Sequence, residues 1–293
     1  MGDGNTAAEA VTGEGKDGSR TNFDSMVDAD DELFVVVDTR LLEAILSVFE
    51  PIDSNALICA ESGDGVHLKT RTENCHYLET HIGTTQLHHF RPDDVNRKIE
   101  IAALERVLSR TPADRVAFHA STSEELLVCD GIDEYDVSAA ATPLDDDHNS
   151  IMEVGKIANK IECTLESSRF LALIDANSTH DHVRIAADTA AERLEVGVYD
   201  STEGVSNQVL SVSGSAFLES PAVSLGTGDA AIEQLVCAEA IDEAMPPMRG
   251  PVTLGFASGP ESGVNFEYER ADGAVTVWAL LGKREGASIT DSD

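Results

Sequence analysis

The apolar positions of this chain change period as it is read. In "LFVVVD" (33–38) they run almost unbroken; in "TRLLEAILSVF" (39–49) they recur every three to four residues, with Leu42, Ile45 and Phe49 on one face. In "NALICAESGDGVHLKTRTENCHYLETHI" (55–82) they form short runs separated by turn residues such as Ser62, Gly63 and Asp64. That succession predicts a strand, a helix and three strands. "KIEIAALERVLSRTPADRVAFHASTSEELLVCDGIDEYDVSAAATPL" (98–144) repeats the order. After the polar stretch "DDDHNSIMEVGKIANK" it returns at 161–213 and once more at 232–282. Element order and turn positions agree between the copies, which points to internal duplication: four βαβββ units in two pairs.

One such unit cannot cover both its helix and its sheet, so two are expected to pack as one layered domain with both helices on the same side. Strands such as "HVRIAAD" and "VTLGFAS" alternate apolar and polar residues, which predicts antiparallel sheets with one face in the core. The expected fold class is α+β. Its division is a disordered acidic tail over 1–30, a first domain over 31–142, a connecting loop over 143–158, a second domain over 159–285 and a short tail over 286–293.

Charge narrows the choice of function. With 54 acidic against 20 basic residues the formal net charge is −34. Self-repulsion of that size is relieved by salt, whose Debye length is about 3 Å at 1 M. The composition resembles that of proteins from organisms with molar salt in the cytoplasm; an ordinary acidic protein that avoids nucleic acid is the other reading. No apolar run approaches the roughly 20 residues of a membrane span, and a cytoplasmic, nucleoid-associated location is expected. Cys59, Cys75, Cys129, Cys163 and Cys237 are scattered without a C-x-x-C pair, which suits buried free thiols.

Catalytic motifs are missing. No G-x-G-x-x-G opens a helix, and there is no P-loop and no G-x-S-x-G elbow. Among the nine histidines are those at 67, 76, 81, 88, 89, 180 and 182, and "THDHVRI" and "QLHHF" have ligand-like spacing, but no H-E-x-x-H accompanies them. Neither an enzyme, a cofactor nor a metal is expected.

Two passages carry a resemblance. "VTLGFASGPESGVNFEYERADGAVTVWALLGKRE" resembles the closing strands, with their "DG-x-hydrophobic" turn, of DNA sliding clamps of the proliferating cell nuclear antigen type. "VDTRLLEAILSVFEPIDSNALICAESGDGVHL" resembles their opening helix and strands. The likeness extends over roughly residues 33 to 285. It implies the DNA clamp fold, subunits joined head to tail as a homotrimer around double-stranded DNA, and helices lining the hole. "YDVSAAAT" would then pair with a strand near "NQVLSVSGSAF" of the neighbour. It also implies a processivity factor that tethers DNA polymerase, clamp loader, ligase and nuclease through short hydrophobic peptides.

Carried over by residue, the resemblance assigns Arg106 to a basic pore position, with Arg110 one turn on and Arg40 and Arg169 at the starts of the first and third helices. They would meet phosphates without reading bases. Outside that context Arg106 and Arg110 would pair with Glu105 or Asp114 on a solvated surface. The partner-peptide pocket falls on Leu78, Ile151, Met152, Trp278, Leu280 and Leu281. Departures are the fourth helix, "CAEAIDEAMPPM", with Glu239, Asp242 and Glu243 where lysines are usual, and Asp175 near another usually basic position. They leave open a clamp-like adaptor or inhibitor that does not encircle DNA, or a checkpoint-type clamp of different subunits.

Overall fold

The computed structural model describes residues 23, 33–49, 55–61, 63–71, 77–91, 95–120, 125–138, 154–177, 182–198, 209–223, 231–237, 241, 249–257 and 263–282. The first half runs β1 (Leu33–Asp38), α1 (Thr39–Phe49), β2 (Asn55–Glu61), β3 (Gly65–Arg71), β4 (Tyr77–Gly83), β5 (His89–Arg91), β6 (Val95–Glu100), α2 (Ile101–Leu108), β7 (Arg115–Ala120), β8 (Leu127–Cys129) and β9 (Glu134–Asp136). The second runs β10 (Ile161–Glu166), α3 (Ser167–Asp175), β11 (His182–Asp188), β12 (Arg193–Val198), β13 (Val209–Ser213), β14 (Phe217–Val223), β15 (Ala231–Cys237), β16 (Pro251–Ala257), β17 (Gly263–Arg270) and β18 (Val275–Gly282). Of the stretch expected to form the fourth helix, 238–240 and 242–248 lie outside the described residues, Cys237 ends β15, and Ile241 is helical and fully buried.

This is the α+β architecture read from the sequence, with antiparallel ladders between the described strands. Two strands escape the βαβββ reading. β5 and β14 each follow a short 3₁₀ turn (Thr84–Gln86 and Gly214–Ala216) and pair with the first strand of their own half, β1 and β10. Their recurrence at equivalent places is a further mark of duplication.

Three sheets result: β5-β1-β7-β8-β9, then β14-β10-β16-β17-β18-β4-β3-β2-β6, then β13-β12-β11-β15. The second sheet holds strands of both halves, because β18 pairs with β4 in the register Trp278↔Glu79 and Ala279↔Leu78. A continuous sheet therefore spans the joint between halves. Among the described strands, β9 ends the first sheet and β13 ends the third, so each is an edge strand.

Helices α1 and α2 pack together, burying Leu42, Ile45 and Phe49 with Leu104, Val107 and Leu108 in the main core. Leu33, Val35 and Val37 of β1 join them, whereas Phe34 and Val36 face the other way and form a small cluster with Ala117 and Cys129. Phe23 packs on that cluster. It belongs to the stretch expected to be disordered, and the reason for its docking is the apolar outer face of β1, which would otherwise meet water. Cys59, Cys129 and Cys163 are buried thiols, and burial pushes the Cys163 thiol up to about 12. No described helix is long and apolar enough to cross a membrane.

Candidate functional site

The arginines expected at phosphates are all exposed. Arg106 is the sixth residue of α2, the place held by Ala44 in α1 and Ala172 in α3, so one arginine marks a position that the duplication leaves small elsewhere. Its guanidinium lies 3.8 Å from Glu100, rather than on Glu105 or Asp114. Arg110 is not on the helix. α2 ends at Leu108, where the Ser109 and Thr111 hydroxyls donate back to the carbonyls of Arg106 and Val107, and Pro112 would block a further turn.

Arg40 stands second in α1, beside Asp38 at 3.8 Å. Two further basic groups converge on the same carboxylate: Arg115 at 3.4 Å and His88 at 2.6 Å. Sequence reasoning missed both, because β7 and β5 reach Asp38 only through their pairing with β1. The Thr39 hydroxyl donates to the Ala113 carbonyl at 2.7 Å and fastens the start of α1 to the loop before β7. Arg169 is third in α3.

The second expected surface divides by strand parity. Val275, Val277, Ala279 and Leu281 of β18 lie in the main core, so Trp278 and Leu280 face the opposite side. Leu78 also belongs to the core and pairs directly with Ala279. Leu78 and Leu281 therefore do not share a face with Trp278 and Leu280, and Leu280 is itself only 2% exposed. Ile151 and Met152 lie outside the described residues.

The end of the connecting segment, a 3₁₀ turn over Val154–Lys156, lies across the Trp278 face. A Cβ on Gly155 would meet the indole at 3.0 Å, so a larger residue there would press on the ring. The Gly155 N–H donates to Glu79 Oε2 at 3.2 Å, and Asn265 Nδ2 donates to the Val154 carbonyl at 3.5 Å.

Glu79 anchors a buried polar network under this turn. His67 Nδ1 donates to Glu79 Oε1 at 2.8 Å, and Lys69 Nζ lies 3.4 Å from the same oxygen. Burial works to raise the Glu79 carboxyl; the hydrogen bond from His67, the Lys69 charge and the Gly155 N–H outweigh it, and hold the group below its ordinary value. The His81 ring lies between His67, stacked at 4.5 Å, and Trp278, stacked at 5.8 Å. Burial, reinforced by the charge of His67, lowers its pKa.

Apolar side chains gather at sheet edges. Val209 and Leu210 on β13, Leu218 on β14 and Ile132 in the β8–β9 turn are the exposed large hydrophobics among the described residues, Ile132 at 79%. An edge strand carrying apolar side chains is a template for pairing.

This is the fold of the sliding clamps of the proliferating cell nuclear antigen (PCNA) type. No known family's sequence profile and no curated protein matches the chain. Among solved structures, that of A. fulgidus PCNA with the C-terminal region of FEN-1 superposes with a TM-score of 0.64 at 14% identity, covering 86% of this chain and 98% of that one. PCNA from Thermococcus kodakaraensis gives 0.62 at 12%, covering 86% and 100%. The PCNA2–PCNA3 complex from Sulfolobus tokodaii gives 0.58 at 13%, covering 86% and 99%.

Proposed function

We propose that this chain is a DNA sliding clamp: a non-enzymatic, homotrimeric processivity factor that encircles duplex DNA in a salt-rich cytoplasm and tethers replication and repair enzymes. The observation that carries the reading is the pair of open edges. Within the chain, the last strand of the second half, β18, closes on the fourth strand of the first half, β4. Their counterparts are β9, the last strand of the first half, and β13, the fourth of the second, and among the described strands each has a neighbour on one side only. Repeating the in-chain joint between copies satisfies both edges with the same geometry, and a heterologous contact of this kind ends in a ring when its rotation closes.

Aligning the ladders of the two halves gives a register for that joint. Tyr135 pairs with Val128 and Val128 with Phe118, as Ala279 pairs with Phe266 and Phe266 with Leu254, and Val209 stands five residues before a 3₁₀ segment, as Glu79 does. Trp278 faces Glu79 in the in-chain joint, so the same joint between subunits would set Glu134 opposite Val209. The exposed Leu210 would then lie diagonal to Tyr135, within reach of its ring. The solved PCNA2–PCNA3 complex is a precedent for association between clamp chains. The FEN-1 segment on A. fulgidus PCNA supports a docking role for short peptides from polymerase, clamp loader, ligase or nuclease. Trp278 is the residue best placed to receive them, beside the Val154–Lys156 turn.

Light scattering after size-exclusion chromatography in molar KCl tests the ring, together with a Glu134→Cys/Val209→Cys variant under oxidation. Residues directly opposite on antiparallel strands have Cα atoms about 4.5–5.5 Å apart, within disulfide range. A trimer and a ladder of covalent oligomers that ends at three chains, with the ladder absent from the single-cysteine variants, are expected. A monomer at every salt and concentration would overturn the reading and favour an adaptor.

A further inference from the structure

We propose that Asp64, His67 and His81 form a binding site for one borderline divalent transition-metal ion, of which Zn²⁺ is the type, beneath the connecting segment and independent of DNA. His67 and His81 are direct partners in the β3–β4 ladder, so both imidazoles rise from the same face. Asp64 is held over them by the hairpin turn, which has glycine on either side at positive φ, 84° at Gly63 and 147° at Gly65. Gly65 has no alternative, since a Cβ there would stand 2.1 Å from the Ile82 carbonyl oxygen. The turn thus fixes a carboxylate above two imidazoles.

The donor atoms converge. His67 Nε2 lies 3.2 Å from Asp64 Oδ2 and His81 Nε2 lies 3.3 Å from Asp64 Oδ1, and one ligand atom from each residue falls within 4.8 Å of the others. Ligands about 2.0–2.1 Å from a tetrahedral zinc stand roughly 3.4 Å apart, so two of the contacts already have that spacing. The protonation pattern argues in the same direction. Glu79 accepts from His67 Nδ1, so a neutral His67 ring turns its Nε2 lone pair on Asp64, where lone pair and carboxylate repel unless a cation lies between them. A proton or a metal ion fills that place.

Glu79 orients the His67 ring as outer carboxylates do for ligating histidines, and Lys69 offsets its charge. Two imidazoles and one carboxylate suit Zn²⁺, Ni²⁺ or Cu²⁺ and not Mg²⁺ or Ca²⁺, which want oxygen. Access is from the Asp64 side. Its side chain is 43% exposed against 7% for His67 and 18% for His81, leaving room there for a water as fourth ligand.

The chain holds a single tryptophan, Trp278, and its ring stacks on His81. Its fluorescence is therefore a local reporter. The test is titration of chelator-stripped protein with Co²⁺ and Ni²⁺, followed by Trp278 quenching and the Co²⁺ visible spectrum, with Zn²⁺ as competitor. Saturable quenching at one ion per chain, reversed by Zn²⁺, with the intense visible bands of four-coordinate Co²⁺, is expected. Asp64→Asn and His81→Gln should each weaken binding at least tenfold while circular dichroism remains that of the parent, and Glu79→Gln should weaken it about tenfold. Absence of saturable quenching would overturn the proposal and leave a proton as the only occupant. Equal binding by parent, Asp64→Asn and His81→Gln would overturn it too, by placing the ion elsewhere on the acidic surface.

Discussion

Glu79→Gln tests whether the network under the connecting segment is a built part of the fold. Glu79 is 2% exposed and Lys69 5%, with 3.4 Å between their charged atoms. Glutamine keeps the shape but has one acceptor oxygen where the carboxylate has two, so it can accept from His67 Nδ1 or from the Gly155 N–H and not from both, and one buried negative charge is lost. Breaking a buried pair from one side costs about 3–5 kcal/mol, and with one hydrogen bond kept and one lost this case falls near the middle, about 4 kcal/mol. For a chain of this size that lowers Tm by roughly 8–16 °C. The assay is thermal unfolding in molar salt at fixed protein concentration, with Lys69→Met and the double variant alongside. Removing both charges should recover most of the loss, because a buried pair taken out together leaves no stranded charge. A loss below about 1 kcal/mol in Glu79→Gln, or no recovery in the double variant, would refute the account of a paired, desolvated network.

On the clamp reading, Arg106→Glu with Arg110→Glu should reduce polymerase stimulation on primed DNA while light scattering shows unchanged assembly; full stimulation would remove both arginines from the mechanism. Leu210→Asp places a charge diagonally across from Tyr135 and should convert the assembly to monomers, as size-exclusion chromatography will show, leaving the circular dichroism of the fold intact. Stability should fall with acid in two stages. His81 has a folded pKa below 6.5, so the unfolded chain binds the extra proton and stability declines as pH drops below about 6.5. Glu79 is depressed below 4.5, so its contribution is full above that value and is lost as pH falls through the folded pKa. Denaturant midpoints between about pH 8 and pH 3 measure both.

The element order was legible because each unit changes its hydrophobic period at the same points. β5 was not, since "HFR" is too short to alternate, and β14 carries Pro221, tolerated because the strand lies at an edge. The joint of β18 with β4 was invisible to local pattern, as pairing between distant strands leaves no periodic trace. Parity, by contrast, was available: Leu280 and Leu281 are neighbours in a strand and cannot share a face. Arg106 could be placed from helical spacing alone. The Asp64–His67–His81 set could not, because hairpin register, and not sequence distance, brings the two histidines together.

The helix face and the strand edges respond to salt in opposite ways, and this decides which of them retains the protein on DNA if it acts as a clamp. Arg106 faces Glu100, and Arg40 and Arg115 share Asp38, so these cations are already partly neutralised from within the chain. What attraction remains for phosphate falls steeply as salt rises. Backbone pairing along β9 and β13 carries no net charge, and the apolar contact at Leu210 is not screened. Salt also relieves the repulsion between chains of charge −34, so a ring would close best under the conditions that weaken its hold on phosphate. Retention then rests on enclosure: a closed ring stays on circular DNA at molar salt and leaves when the DNA is cut, and weak, self-neutralised arginines let it slide in the meantime.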